Sequence, residues 1–232
     1  MRQKIRTGEW LRMDKMSRQK KEPGLKEQTI GYYNQYAEQF AERTVGADMS
    51  FCQNAFLKHL PAHSLILDAG CGSGRDSRIF MEKGYQVCAV DASEEMCRVA
   101  AKQIGRPAEC MRFEEMTWRE RFDGIWACAS LLHVSRSELP AVLRNFHRAL
   151  KTGGVMYASF KYGGGEEERL GRFFNDYRLG ELEDVFLRDG LFALVESFET
   201  EDVRPDYKEK PWVNIIVRKI CVSYTQFLYL SD

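Results

Sequence analysis

From Glu27 onward, apolar and polar positions repeat with two alternating periods. Tyr33, Tyr36, Ala37 and Phe40 fall at i, i+3, i+4 and i+7, the stripe of an amphipathic helix, and a second helix is expected over 51–60, stopped by Pro61. Short apolar runs then predict strands near 64–68, 86–90, 107–111, 123–128 and 154–160, with helices between them. Ser93 reads as the N-cap of a helix whose buried side is Met96, Val99, Ala100 and Ile104. Ser135 and Glu138 read as a capping box, followed by the apolar face Leu139, Val142, Leu143, Phe146 and Leu150, with Gly153 and Gly154 ending the helix. A helix near 179–189 and strands near 191–198 and 212–218 complete the pattern. Strand and helix in strict alternation predict an α/β fold with a mostly parallel sheet.

Two chemical features sit where such strands end. Leu65-Ile-Leu-Asp68 runs into Ala69-Gly70-Cys71-Gly72-Ser73-Gly74, with glycine at three alternate positions. Glycine accepts positive φ and lets another group approach the backbone closely, so this turn predicts a ligand cradle. The second strand, Gln86-Val-Cys-Ala-Val, closes on Asp91. A carboxylate about twenty residues beyond a glycine loop is placed to accept hydrogen bonds from ribose hydroxyls, which indicates an adenosine-containing cofactor. The spacing is G-x-G-x-G rather than the dinucleotide pattern G-x-G-x-x-G.

On these residues the chain resembles the class I S-adenosylmethionine (SAM)-dependent methyltransferases, whose first motif is an apolar strand followed by D/E-x-G-x-G-x-G. Residues 84–91 are similar to the family's second motif, 122–133 to its fourth strand and following loop, and Ala149–Gly154 to its turn into the fifth strand, so the resemblance covers 28–219. The loop and helix entry, with Arg75 and Ser77, are similar to the tellurite-resistance branch. The resemblance implies a Rossmann-like seven-stranded sheet in the order 3-2-1-4-5-7-6, its last two strands antiparallel, with a helical cap at the N-terminal side. It also implies SAM as cofactor, S-adenosylhomocysteine (SAH) as product, and transfer of the methyl to O, N, S or a metalloid of a small-molecule acceptor. In-line displacement rests on positioning, worth about 7–11 kcal/mol when both reactants are held in line, so neither a triad nor a metal site is expected.

The family pattern assigns expected roles. Asp68 would serve the cofactor ammonium or the loop amides. Gly70, Cys71, Gly72 and Gly74 would let the methionine and ribose pass, and Asp91 with Ala92 would hold the ribose. Cys128 and Ala129 would offer backbone carbonyl to the ammonium. Relatives carry an acidic residue after the third strand where this chain has Arg112. The adenine edge is therefore assigned to Arg112, to the backbone of Phe113 or to Glu114. Tyr33 is either a donor to the cofactor carboxylate, with Tyr36 or Arg43 as substitutes, or part of a core stripe. His133 is either a general base at the substrate mouth or a structural histidine, and His147 is read as structural, on an exposed helix face. Residues 161–177 read as a flexible substrate-facing flap, with Lys161, Arg172 and Tyr177 as candidates to recognise an anionic or polar substrate, or as a solvated loop with no ligand role.

Composition narrows the alternatives. Lys+Arg and Asp+Glu are both 34, so there is no global charge signature for nucleic acid, and no [N/D]-P-P-[Y/F/W] motif follows the fourth strand. Seven cysteines are scattered without a C-x-x-C pair, which fits free thiols in a reducing cytoplasm. No run approaches the ~20 apolar residues of a membrane span. At 232 residues one domain, as monomer or homodimer, is expected over 27–219, preceded by a flexible basic tail (1–26). Met13 or Met16 is an alternative start. The segment 220–232 has no assigned role. Tyr157-x-x-x-Lys161 imitates the pair of short-chain dehydrogenases, but that pair needs a helix and these residues lie in a strand-like run. An NAD(P)-dependent oxidoreductase and a non-catalytic SAM-binding subunit are the competing readings.

Overall fold

The computed structural model describes residues 24–204 and 210–221. The expected tails at 1–26 and 220–232 fall largely outside these. Where they overlap, Leu25 and Lys26 already belong to the first helix rather than to a tail.

The chain runs α1 (Leu25–Thr44), α2 (Ser50–Leu57), β1 (Leu65–Ala69), α3 (Arg75–Glu82), β2 (Gln86–Asp91), α4 (Glu94–Ile104), β3 (Glu109–Cys110), β4 (Phe122–Ala127), α5 (Leu139–Ala149), β5 (Leu150–Lys161), β6 (Gly165–Arg169), β7 (Arg172–Asp176), α6 (Leu179–Leu187), β8 (Phe192–Thr200) and β9 (Trp212–Lys219). Seven strands form one sheet in the order β3-β2-β1-β4-β5-β9-β8. All pairings are parallel except β5–β9 and β8–β9, as the last-two-antiparallel expectation requires.

β1, β4 and β5 are apolar almost continuously because both faces of the sheet are covered. One face packs Leu67, Ile125 and Met156 against α5 and α6 through Val142, Phe146, Leu182 and Phe186. The other packs Ile66, Trp126 and Tyr157 against Phe56, Phe80, Ala100 and Ile104 of α2, α3 and α4. Trp126 and Tyr157 stack at 4.0 Å. α1 lies on α4 through Ala37, Ala41, Met96 and Val99, and so reaches across the carboxyl ends of the strands. Ser93 caps α4 as expected, its Oγ accepting from the Met96 amide at 3.1 Å.

Four expectations are corrected. Helix α5 ends at Ala149 instead of running to Gly153, because Leu150 is buried in the sheet opposite Phe122. The two glycines form an irregularity within β5. Gly153 takes φ 76°, and a Cβ on Gly154 would meet the Lys151 and Asp123 carbonyl oxygens at 2.9 and 3.0 Å. Ser135 and Glu138 do bond reciprocally, but they cap the turn before α5, which starts with Leu139-Pro140. The flap at 161–177 is an ordered hairpin, β6–β7, whose seventh-strand side hydrogen-bonds to α1 through the Phe173 amide and Thr29 Oγ1 at 2.9 Å. His147 is structural but buried, its Nε2 paired with the Ile220 carbonyl at 3.1 Å.

Candidate active site

The carboxyl ends of β1, β2 and β4 open onto a cavity of about 770 Å³. That is the place and the size at which open α/β sheets take a ligand. The glycine loop is tied to β2, since the amides of Gly70 and Cys71 both donate to the Val90 carbonyl, at 2.9 and 2.8 Å. The three glycines have different reasons. A Cβ on Gly70 would lie 2.4 Å from the Ser130 Cβ, and one on Gly74 would lie 3.1 Å from the Ala100 Cα, so both are held by packing within the protein. Gly74 does not line the cavity, which corrects its expected ligand role. At Gly72 the nearest atoms to an added Cβ are 3.8 Å away, and this is the glycine that keeps the cradle open.

Asp91 fixes the other rim. Its Oδ2 accepts from the Gly72 amide and its Oδ1 from the Ser93 amide, both at 2.9 Å. A carboxylate has about four lone-pair sites, so even with the Ala92 amide also directed at it Asp91 keeps capacity for a ligand hydroxyl. Ala92 lines the cavity beside it, and Arg112, Phe113 and Glu114 form the adjoining wall. Of the three adenine-edge candidates, two side chains are committed on their outer ends: Arg112 to Glu27 at 3.2 Å and Glu114 to Lys26 at 2.7 Å. The Phe113 carbonyl accepts from Asn145 at 3.1 Å, and its ring packs edge-on against Phe146, so its cavity-facing contribution is the ring.

Beyond the loop the cavity floor is charged. Asp68 is 2% exposed and accepts from Ser77 Oγ at 2.6 Å. Burial, with the Asp76 carboxylate nearby, pushes its carboxyl up to about 7. Arg75 had not been expected in the site. It grips Asp76 with Nε and Nη2 at 2.9 and 2.7 Å, while Trp126 and Gln53 satisfy the rest of that carboxylate. Its Nη1 makes only a 3.4 Å contact to the Thr44 carbonyl, which leaves a guanidinium edge in the cavity. Cys71 and Cys128 line the same end, and burial pushes the Cys128 thiol up to about 12, so it is no nucleophile. Ala129 takes φ 52°, unusual for a residue with a Cβ, and Ser159 Oγ holds its amide at 2.8 Å.

The mouth is built from long-range contacts. His133 Nδ1 lies 2.6 Å from the Phe173 carbonyl, which can only accept, so this nitrogen carries the proton. Its Nε2 then accepts from the Tyr33 hydroxyl at 2.9 Å. Burial lowers the imidazole to about 4 and it stays neutral, with its lone pair already engaged. The Tyr33 proton is directed at His133, not at the methionine end where it had been expected. Lys161 pairs with Asp202 at 2.7 Å and sits 4.1 Å over Trp212. Tyr177 is 1% exposed, bonded to Asn175 and covered by Arg136, and does not reach the cavity, which corrects its expected substrate role. Arg172 does line it.

Tyr157 and Lys161 are both in β5, and the Tyr157 hydroxyl donates to Asn214 at 2.6 Å while Lys161 is held by Asp202. They do not form a dehydrogenase pair. Residues 66–154 match the family model described as a methyltransferase domain. The matched stretch is a methyltransferase domain of the class I SAM-dependent kind. The chain is 31% identical over 174 residues to a malonyl-[acyl-carrier protein] O-methyltransferase of Erwinia pyrifoliae, covering 70% of this chain and 62% of that one. The chain spans about half the length of the first curated relatives it matches.

Two solved structures show the same methyltransferase fold. One is the 1,6-didemethyltoxoflavin-N1-methyltransferase of Burkholderia thailandensis with bound 1,6-didemethyltoxoflavin and SAH. It is 24% identical, with a TM-score of 0.69 over 85% of this chain and 88% of that chain. The other is a TehB-like SAM-dependent methyltransferase from Corynebacterium glutamicum, 20% identical, with a TM-score of 0.63 over 82% and 99%.

The residues present fit the family's cofactor. The loop leaves open space over Gly72, Asp91 keeps lone-pair capacity for a ribose hydroxyl, and Asp68 with the cavity-lining edge of Arg75 offers one group of each sign for an amino-acid tail. Arg75 was legible only as part of the loop's resemblance. Its fork to Asp76 depends on α2 and β4 supplying Gln53 and Trp126.

Proposed function

We propose that this chain is a SAM-dependent methyltransferase acting on a small-molecule acceptor. One observation carries the reading: the Gly72 amide and the Asp91 carboxylate, from separate strand ends, are joined at 2.9 Å on the rim of a single cavity that also reaches Asp68 and Arg75. When bound, SAM supplies an activated methyl on its sulfonium. The protein's part is to bind and orient. Asp91 would take both ribose hydroxyls, and Phe113 would pack on the adenine. Asp68 would face the ammonium and Arg75 the carboxylate of the tail. His133 and Tyr33 would wall the reacting centre and exclude water.

The neutral, doubly bonded His133 supports a positioning role over that of a free base. The seven unpaired cysteines support a cytoplasmic location. Among the described residues, no helix is long and apolar enough to cross a membrane.

Titration calorimetry with SAM, SAH and NADH tests the reading. SAM and SAH are expected to bind and NADH not. Asp91→Ala should weaken SAH by about 100-fold, since two hydrogen bonds to a charged group are lost. Tight NADH binding without SAM binding would overturn it.

A further inference from the structure

The cavity holds one cation whose countercharge is missing. Arg172 opens β7, immediately after the tight turn at Leu170-Gly171, where φ is 53° and 74°. Its guanidinium carbon lies 4.5 Å over the Tyr32 ring and 5.1 Å over Phe174, and Nη1 is 3.5 Å from the Tyr33 hydroxyl oxygen. Its Nε is buried with no hydrogen-bond partner. Among the described residues, no carboxylate lies within ion-pair distance of it. Every other cation lining the cavity has one, from Arg75 on Asp76 to Lys161 on Asp202 and Arg169 on Asp176. A half-buried guanidinium with no protein counterion is costly unless the ligand supplies the charge. Packing against two rings holds the guanidinium in place, and its planar fork suits a planar oxyanion more than a spherical one.

Position separates this group from the cofactor end of the cavity. Arg75 and Asp68 serve the far floor, beside Thr44 and Cys128. Arg172 sits on the hairpin side, against the Tyr33–His133 pair. On the hairpin side, Arg169 and Lys210 are matched by the two carboxylates Glu167 and Asp176, so the excess there is the single positive charge of Arg172. That matches a monoanion rather than a phosphate dianion. We infer that Arg172 anchors the methyl acceptor, and that the acceptor carries a carboxylate. The inference rests on the SAM-dependent reading above.

Calorimetry on the SAH-saturated protein tests it, with the monoanions benzoate and phenylacetate as probes against benzamide and phenylacetamide, and with inorganic phosphate as a further arm. At least one carboxylate should bind about tenfold or more tightly than its amide. Arg172→Gln should abolish that preference while SAH affinity stays within about twofold, which also shows that the variant is folded at the site. Arg172→Lys keeps the charge without the fork and should retain part of the preference. The inference is overturned if no probe shows the preference, if phosphate is preferred, or if the preference survives Arg172→Gln. It is also overturned if Arg172→Gln weakens SAH itself about tenfold, which would give the arginine to the cofactor. A wild-type protein that binds no SAH fails the cofactor reading first, and the inference falls with it.

Discussion

The two halves of the cavity are held together by different physics. The loop side, from Gly70 to Asp91, is backbone fixed by backbone and by short side chains: the loop amides donate to Val90 and Asp91, and two glycines are dictated by the bulk of Ser130 and Ala100. The hairpin side, from Tyr33 to Phe173, is held by side chains that reach across distant segments to other side chains or to the Phe173 backbone. Tyr33 reaches His133 over 100 residues, and Thr29 reaches Phe173 over 144. The first arrangement tolerates almost no change in shape, whereas the second is open to titration and to replacement of single polar groups. A site divided this way can keep one cofactor while its acceptor wall varies.

The largest expected effect separates packing from ligand access on the loop side. Gly70→Ala combines a positive φ with a methyl driven into Ser130, and should lower stability by about 3 kcal/mol or more in urea unfolding. Gly72→Ala has the same sign of φ but open space around its Cβ, and should cost only about 1 kcal/mol. Its main loss should be in SAH affinity. Equal stability losses for the two would erase the distinction between a packing glycine and a cradle glycine.

The hairpin side should fail first in acid. His133 is held neutral, its pKa lowered from 6.5 to about 4, so the unfolded chain binds its proton more readily. That contribution is intact above about pH 6.5 and is lost as the pH falls towards 4, to a limit of about 3 kcal/mol. Urea midpoints of wild type and His133→Gln, compared between pH 7.5 and 4.5, isolate it. If the two proteins lose stability in parallel across that range, the imidazole is not the sensitive group.

A smaller signature of the same sign, in ligand affinity rather than stability, belongs to the loop side. Asp68 has its carboxyl raised to about 7, so below that pH the empty site holds a proton that a cationic tail would displace. SAM binding should release up to one proton between pH 5 and 7, and its affinity should rise by up to about tenfold per pH unit over that window. Binding enthalpies in buffers of different ionisation heat measure the proton count. Asp68→Asn should remove the release, and its persistence in that variant would move the effect to another group.

Much of the loop side was readable from the chain alone. Glycine spacing, strand-end aspartates and the Ser93 cap are local signals, each set by steric limits on a few adjacent residues. Reading failed where a distant partner decides the outcome. Gly153-Gly154 look like a helix stop, but burial of Leu150 against Phe122 ends α5 sooner. The 161–177 segment looks flexible because its glycines and charges say nothing of the register that pairs Arg169 with Arg172. Tyr177 looks available to a substrate, yet Arg136 and Asn175 enclose it.

The sequence by itself determined the alternation of strand and helix, the glycine cradle and the acidic residue on its rim. Each of these follows from side-chain size and periodicity within one turn or strand. Only the tertiary structure decided which glycine has open space over it in the cavity, that His133 is doubly hydrogen-bonded and neutral, and that Arg172 alone among the described cavity cations lacks a carboxylate. Those properties are sums over neighbours from several segments, and burial and charge balance exist only once the segments have met.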